Sequence, residues 1–188
     1  DIDLKNSGND LAGRSFNDTS NTAFTKQNLR TFTVGFALDN QMLRDAEAAK
    51  IHTVYVEAPE SRSLPAILAP QLRLALLRLS RIDAAKSAAI TGLRALAGFA
   101  SALKLKFGDI EVGIDYEPEP GLADNGDLEG DLTALLAQLG EVAKAAGTAL
   151  VIFVDELQYV AEEQLSALIT ALHRVSQLAL PVTLVGAG

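Results

Sequence analysis

Two adjacent carboxylates, Asp155 and Glu156, close the apolar run Val151-Ile152-Phe153-Val154. A short apolar run of this kind reads as a strand buried on both faces of a parallel sheet. In open α/β sheets ligands bind beyond the carboxyl ends of the strands, so the pair stands where chemistry is usually done. Two acids there suit hydrolysis of a nucleoside triphosphate. Asp155 would hold Mg²⁺, usually through water, and Glu156 would polarise the attacking water. The competing reading is that both acids merely cap the next helix and solvate a loop; the strand–helix–strand setting favours the functional one.

Such chemistry also needs a glycine-rich loop whose backbone N–H groups cradle the phosphates. A Lys for the β and γ phosphates and a Ser or Thr for Mg²⁺ should follow it. No G-x-x-x-x-G-K-[S/T] string occurs in the chain. The nearest is Gly8-Asn9-Asp10-Leu11-Ala12-Gly13-Arg14-Ser15, with a planar guanidinium in place of the compact lysine ammonium. It follows residues 1–7, which do not form a buried strand pattern, and precedes residues 16–20, which make no convincing helix, so it reads as a decoy.

Other chemistries are excluded by composition. With no Cys and only His52 and His173, there is no thiolate or multi-histidine zinc site, no disulfide framework and no cysteine nucleophile. Neither His shows the partner pattern of a Ser-His-Asp site. The net charge of −8, from 16 Lys+Arg against 24 Asp+Glu, opposes broad binding to nucleic acid or to an anionic membrane. Arg73, Arg78, Arg81, Lys86 and Arg94 read as the solvated side of amphipathic helices. His173, beside Arg174, reads as exposed, and Tyr159 as packing. No apolar run reaches 18 residues, and residues 1–8 lack the basic start and apolar stretch of a secretion signal, so the expected location is cytoplasmic.

The elements that must position the acids are legible as periodicities. At 188 residues and 48% hydrophobic, the chain can bury a core without staples. Residues 1–30, rich in Asn, Ser and Thr, are expected to be irregular. From there, strands are expected over 31–37 and 51–57, and helices over 38–50, 64–80 and 83–103. Residues 104–116, alternating around Gly108-Asp109, predict a β-hairpin insertion, and 118–126 a loop. Leu128, Leu132, Leu135, Leu136, Leu139 and Val142 recur at helical spacing between an Asp127 cap and Gly147, with the polar face expected in solvent. Strand 149–154, a helix carrying Leu165, Leu168, Ile169, Leu172 and Val175, and strand 181–185 complete a βαβ unit. The expected fold class is α/β, a mostly parallel sheet flanked by helices on both faces in three layers.

The run 150–188 resembles the Walker B strand, following helix and sensor-1 strand of bacterial AAA-type P-loop ATPases, a branch similar to origin-recognition initiators and signal-transduction ATPases. Glu57-Ala58-Pro59-Glu60-Ser61-Arg62-Ser63-Leu64-Pro65 and Gly121-Leu122-Ala123-Asp124 also look like this branch, so the resemblance covers roughly residues 42–188. Leu11-Ala12-Gly13-Arg14 resembles the short box that precedes the first helix in such proteins, where the chain passes near the adenine. The resemblance therefore implies a P-loop NTPase-like fold and ATP with Mg²⁺. It makes Asp155 the metal residue, Glu156 the water-activating base, and Gly13 and Arg14 candidates beside the nucleotide.

Two departures stand against it. Residues 15–41, where the family carries its Walker A loop, read SFNDTSNTAFTKQNLRTFTVGFALDNQ; Val34-Gly35 is a remnant at best, and no Gly-Lys-Thr follows. This stretch reads as rearranged or frame-altered. The sequence also stops at Gly188, before the arginine sensor and lid domain of an AAA site, so residues 31–188 are expected to be an incomplete core. Whether hydrolysis survives stays open at this point. The rival expectations are a non-catalytic interaction scaffold that has lost the phosphate loop and a DNA-associated adaptor using the basic helix face. The expected partners are nucleotide and, beyond it, other proteins or further copies of the chain, with neither nucleic acid nor membrane called for.

Overall fold

Three apolar segments, each rich in β-branched residues, build the sheet of the computed structural model, which describes residues 33–35, 44–46, 48–49, 51–105 and 116–188. They are β2 (His52–Glu57), β3 (Leu150–Asp155) and β4 (Val182–Ala187), joined at one side by the short β1 (Thr33–Gly35). Every pairing is parallel and the order across the sheet is β1-β4-β3-β2. The register aligns Tyr55 with Phe153, Phe153 with Val185 and Val185 with Thr33. Because side chains alternate along a strand, Val54, Val56, Leu150, Ile152, Val154, Val182 and Leu184 share one face. They join the main core. Val151, Phe153 and Val185 share the other, in a separate buried cluster against which Ile51 packs. Burial on both faces is why β3 and β4 read as unbroken apolar runs, whereas β2, expected to be a buried strand, exposes Tyr55 and Glu57 on one face.

Four helices contribute to the main core: α1 (Leu64–Leu79), α2 (Lys86–Ala102), α3 (Leu128–Ala145) and α4 (Glu162–Gln177). Helix α1 starts with Pro65 in its first turn, where the missing N–H costs nothing. Pro70 lies further in and cannot donate to the carbonyl of Ala66. Arg62 Nη2 donates to that carbonyl instead, at 3.4 Å. The N–H of Leu64 at the helix start is accepted by Gln164 Oε1 of α4 at 2.7 Å, which ties the two helix starts together. A 3-10 turn, Asp83–Ala85, leads into α2.

Helix α3 begins as its sequence predicts, with Asp127 Oδ2 accepting the N–H of Gly130 at 2.9 Å. Its polar face corrects the reading above. It is packed by α2 on one side and α4 on the other, so only Glu129, Gly130, Glu141, Lys144 and Ala145 are exposed. Asp131, a nominally polar position, is fully buried. Its two oxygens accept the backbone N–H groups of Asn125 (2.9 Å) and Gly126 (2.8 Å). The apolar stripe itself is as expected, with Leu132, Leu135, Leu136, Leu139 and Val142 buried.

A Cβ added at Gly140 in α3 would stand 2.6 Å from Leu180 Cβ. Gly140→Ala is therefore expected to destabilise by about 1–3 kcal/mol through overpacking. The check is a lower denaturant midpoint at unchanged m-value.

The strand expected over 31–37 is seen at 33–35, and the helix expected over 38–50 is helical at 44–46 and 48. The irregular segment 1–30, with Gly13 and Arg14, lies outside the described residues, as does the body of the hairpin expected over 104–116. Among the described residues, no helix is long and apolar enough to cross a membrane.

Candidate functional site

Because all four strands run the same way, their carboxyl ends meet at one edge. Glu57 pairs with Asp155, and Gly35 with Ala187, at the last step of the register. The backbone carbonyl of Asp155 accepts the N–H of Ala58 at 3.0 Å, which extends the β2–β3 pairing by one step before β2 turns away.

The Asp155 carboxylate is gripped on both oxygens. Oδ1 accepts the N–H of Glu156 at 3.0 Å, and Oδ2 accepts the Tyr55 hydroxyl at 3.0 Å. Tyr55 reaches it because it faces Phe153 in register and Asp155 is two residues further along on the same face. The Tyr55 pKa lies above the ordinary tyrosine value, first through partial burial and then through its hydrogen bond to Asp155. The negative charges of Asp155, Glu57 and Glu156 push it the same way.

Glu156 sits in the left-handed region, φ 57° and ψ 39°, an arrangement that costs a residue with a Cβ on the order of 1–2 kcal/mol. This turn ends the strand and starts a 3-10 turn, Leu157–Tyr159, in which the Tyr159 N–H returns to the Glu156 carbonyl at 3.0 Å. The Glu156 carboxylate accepts from Gln158 Nε2 through Oε2 at 2.6 Å, leaving Oε1 to other partners. Leu157 anchors the turn beneath β4: a Cβ added at Gly186 would come within 2.9 Å of Leu157 Cδ2. Tyr159, expected to pack, is instead 46% exposed, because Leu157 takes the inward position.

The site fits one way of holding a metal and not another. Among the described residues, no group of three or more His, Cys, Asp or Glu converges on a common point, so no all-protein cage is formed. Mg²⁺ is usually held by one or two carboxylates with waters and substrate phosphates, and the free lone pairs of Asp155 suit that arrangement.

The remaining candidates lie elsewhere. His52 is the first residue of β2, about 16 Å along the strand from its carboxyl end. His173 is exposed on α4. Arg78, Arg81, Lys86 and Arg94 are exposed, and Arg94 meets Glu119 at 3.7 Å, a solvated pair of little energetic weight. Tyr55 and Gln158 were not singled out by the sequence reading. Tyr55 could have been found only through the β2–β3 register, which pairs residues about a hundred positions apart, whereas Gln158 stands two residues from Glu156.

The pKa of His52 lies below its ordinary value of 6.5, mainly through burial and secondly through the positive charge of Arg78. The folded chain thus prefers the neutral imidazole. The stability this contributes is fully present above pH 6.5 and is lost as pH falls through the lowered folded-state value. His52→Gln should flatten that acid-side decline when denaturant midpoints are compared between about pH 7.5 and 4.5. A parallel decline in both chains would count against it.

Comparisons with family profiles, with curated proteins and with solved structures returned no match.

Proposed function

We propose that the chain is an ATP-binding domain of the AAA type, degenerate in its phosphate loop, that holds Mg-nucleotide at the carboxyl edge of its sheet. The observation that carries this reading is the position of the acid pair. Asp155 and Glu156 end β3, with β4 lying between β3 and β1. At about 4.8 Å per strand, the end of β1 at Gly35 stands roughly 10 Å from that of β3, room for a phosphate, a metal and its water between a loop leaving β1 and the carboxylates. Right-handed crossovers support the wider architecture. The β2–β3 and β3–β4 connections step across the sheet in one direction, so their helices share the face that carries the main core. Helices on the opposite face as well would complete the three layers of a P-loop NTPase-like core.

Bound Mg²⁺ would neutralise charge on the phosphate oxygens. Asp155 would orient the metal's water ligands through the lone pairs left by Tyr55 and Glu156 N–H. Glu156 would take a hydrogen bond from the attacking water on Oε1, since Oε2 is engaged by Gln158. Gly13 and Arg14 are assigned to the adenine side on resemblance alone. With no Gly-Lys-Ser/Thr string in the sequence, we expect no turnover and weakened binding, because that loop supplies most of the recognition of the β and γ phosphates.

That missing string also favours a second reading, a non-catalytic scaffold that binds no nucleotide. Calorimetric titration with ATP separates the two: heat that requires Mg²⁺ supports the first, and no heat at millimolar ATP with Mg²⁺ supports the second.

A further inference from the structure

The Asp155 carboxylate is held from two directions by donors of different origin. The Glu156 N–H is local and belongs to the turn that ends β3. On its own, a hydrogen bond to one oxygen leaves the carboxylate free to swing about that contact. The Tyr55 hydroxyl comes from the neighbouring strand, one hundred residues away in sequence, and engages the other oxygen at 3.0 Å. Two donors on two oxygens fix the plane of the carboxylate and the direction of its remaining lone pairs. Tyr55 is 42% exposed, and its ring is not needed to fill the core. Directly opposite Asp155 stands another acid, Glu57, whose charge alone would push the carboxylate away. The phenol offers the opposing attraction.

On the basis of the Mg-nucleotide reading above, we infer that Tyr55 is a positioning residue, whose hydroxyl fixes the Asp155 carboxylate in the orientation that receives the hydrated metal. It does not touch metal or nucleotide. Partners that orient a metal-binding group in this way are typically worth ten- to hundredfold in metal affinity.

The test uses the whole chain and Mn²⁺ as the probe, with the non-hydrolysable analogue adenylyl imidodiphosphate. Protein-bound Mn²⁺ is read from the loss of the free-ion electron paramagnetic resonance signal beyond the loss caused by the same concentration of nucleotide analogue without protein. Tyr55→Phe should bind Mn²⁺ about ten- to hundredfold more weakly. Replacement of Tyr55 by 4-aminophenylalanine, which keeps a donor at the same place on the ring, should restore most of that loss. Circular dichroism and melting of each chain establish that it is folded; a role confined to stability would leave the Mn²⁺ affinity of the folded chains unchanged. Wild-type affinity in Tyr55→Phe, or an equal loss in the 4-aminophenylalanine chain, overturns the inference while leaving Asp155 as metal residue. The Asp155→Asn chain tells the two failures apart: if it binds Mn²⁺ as the wild type does, or if the wild type binds none, the Mg-nucleotide reading fails and Tyr55 loses its role with it.

Discussion

Asp131→Ala is expected to lower the unfolding free energy by about 3 kcal/mol, a drop in melting temperature of roughly 6–12 °C for a chain of this size. Asp131 is fully buried in the first turn of α3, and its two oxygens take the N–H groups of Asn125 and Gly126. A hydrogen bond to a charged group is worth about 1.5–3 kcal/mol, and truncation removes two of them together and empties the buried place of the carboxylate. The acid also sits near the positive end of the helix dipole, which its charge complements. Asp131→Asn should show an intermediate loss, because an amide keeps one acceptor and turns a donor towards the second N–H. Equal melting temperatures for all three chains would mean that the loop over 121–127 does not depend on this carboxylate.

Asp131 also marks the boundary of what sequence patterning reveals. The apolar stripe of α3 recurs at helical spacing, so Leu132, Leu135, Leu136, Leu139 and Val142 are recognisable as core from local pattern alone. That α3 lies between two other helices is a matter of tertiary packing, and no periodicity within residues 128–145 distinguishes a surface helix from a sandwiched one. The acid on its polar side was accordingly expected in water. The strands follow the same logic. β3 and β4 are legible as unbroken apolar runs because both faces are covered, while β2, at the side of the sheet, alternates buried with exposed residues from Val54 onward. Their order and register, which bring Tyr55 to Asp155, depend on pairings between segments up to about 150 residues apart. Asp155 and Glu156 could be singled out because their position, the end of a buried strand, is local. Tyr55 could not, since only the β2–β3 register makes it a neighbour. Tyr159 misled for a related reason: in the turn after β3 one side chain goes inward, and Leu157 occupies that place over Gly186.

The second large effect concerns the acid pair itself. A ligand at about a hundred times its dissociation constant contributes roughly 2.7 kcal/mol, and for chains of 150–250 residues each kcal/mol raises the melting temperature by about 2–4 °C. A chain that kept the full binding site would therefore rise by roughly 5–10 °C with Mg-ATP, and without the phosphate loop the expected shift is smaller. Asp155→Ala should abolish the part of this shift that depends on Mg²⁺, because it removes the carboxylate that both Tyr55 and the Glu156 N–H orient. Glu156→Gln should keep the shift, since an amide at this position preserves shape and removes only the basic oxygen.

Thermal melting of the wild type, Asp155→Ala and Glu156→Gln with ATP, in the presence and absence of Mg²⁺, tests the central claim most directly. The account predicts a Mg²⁺-dependent upward shift in the wild type and in Glu156→Gln that is absent in Asp155→Ala. No shift in the wild type at millimolar Mg-ATP, or a shift of equal size in Asp155→Ala, would contradict it.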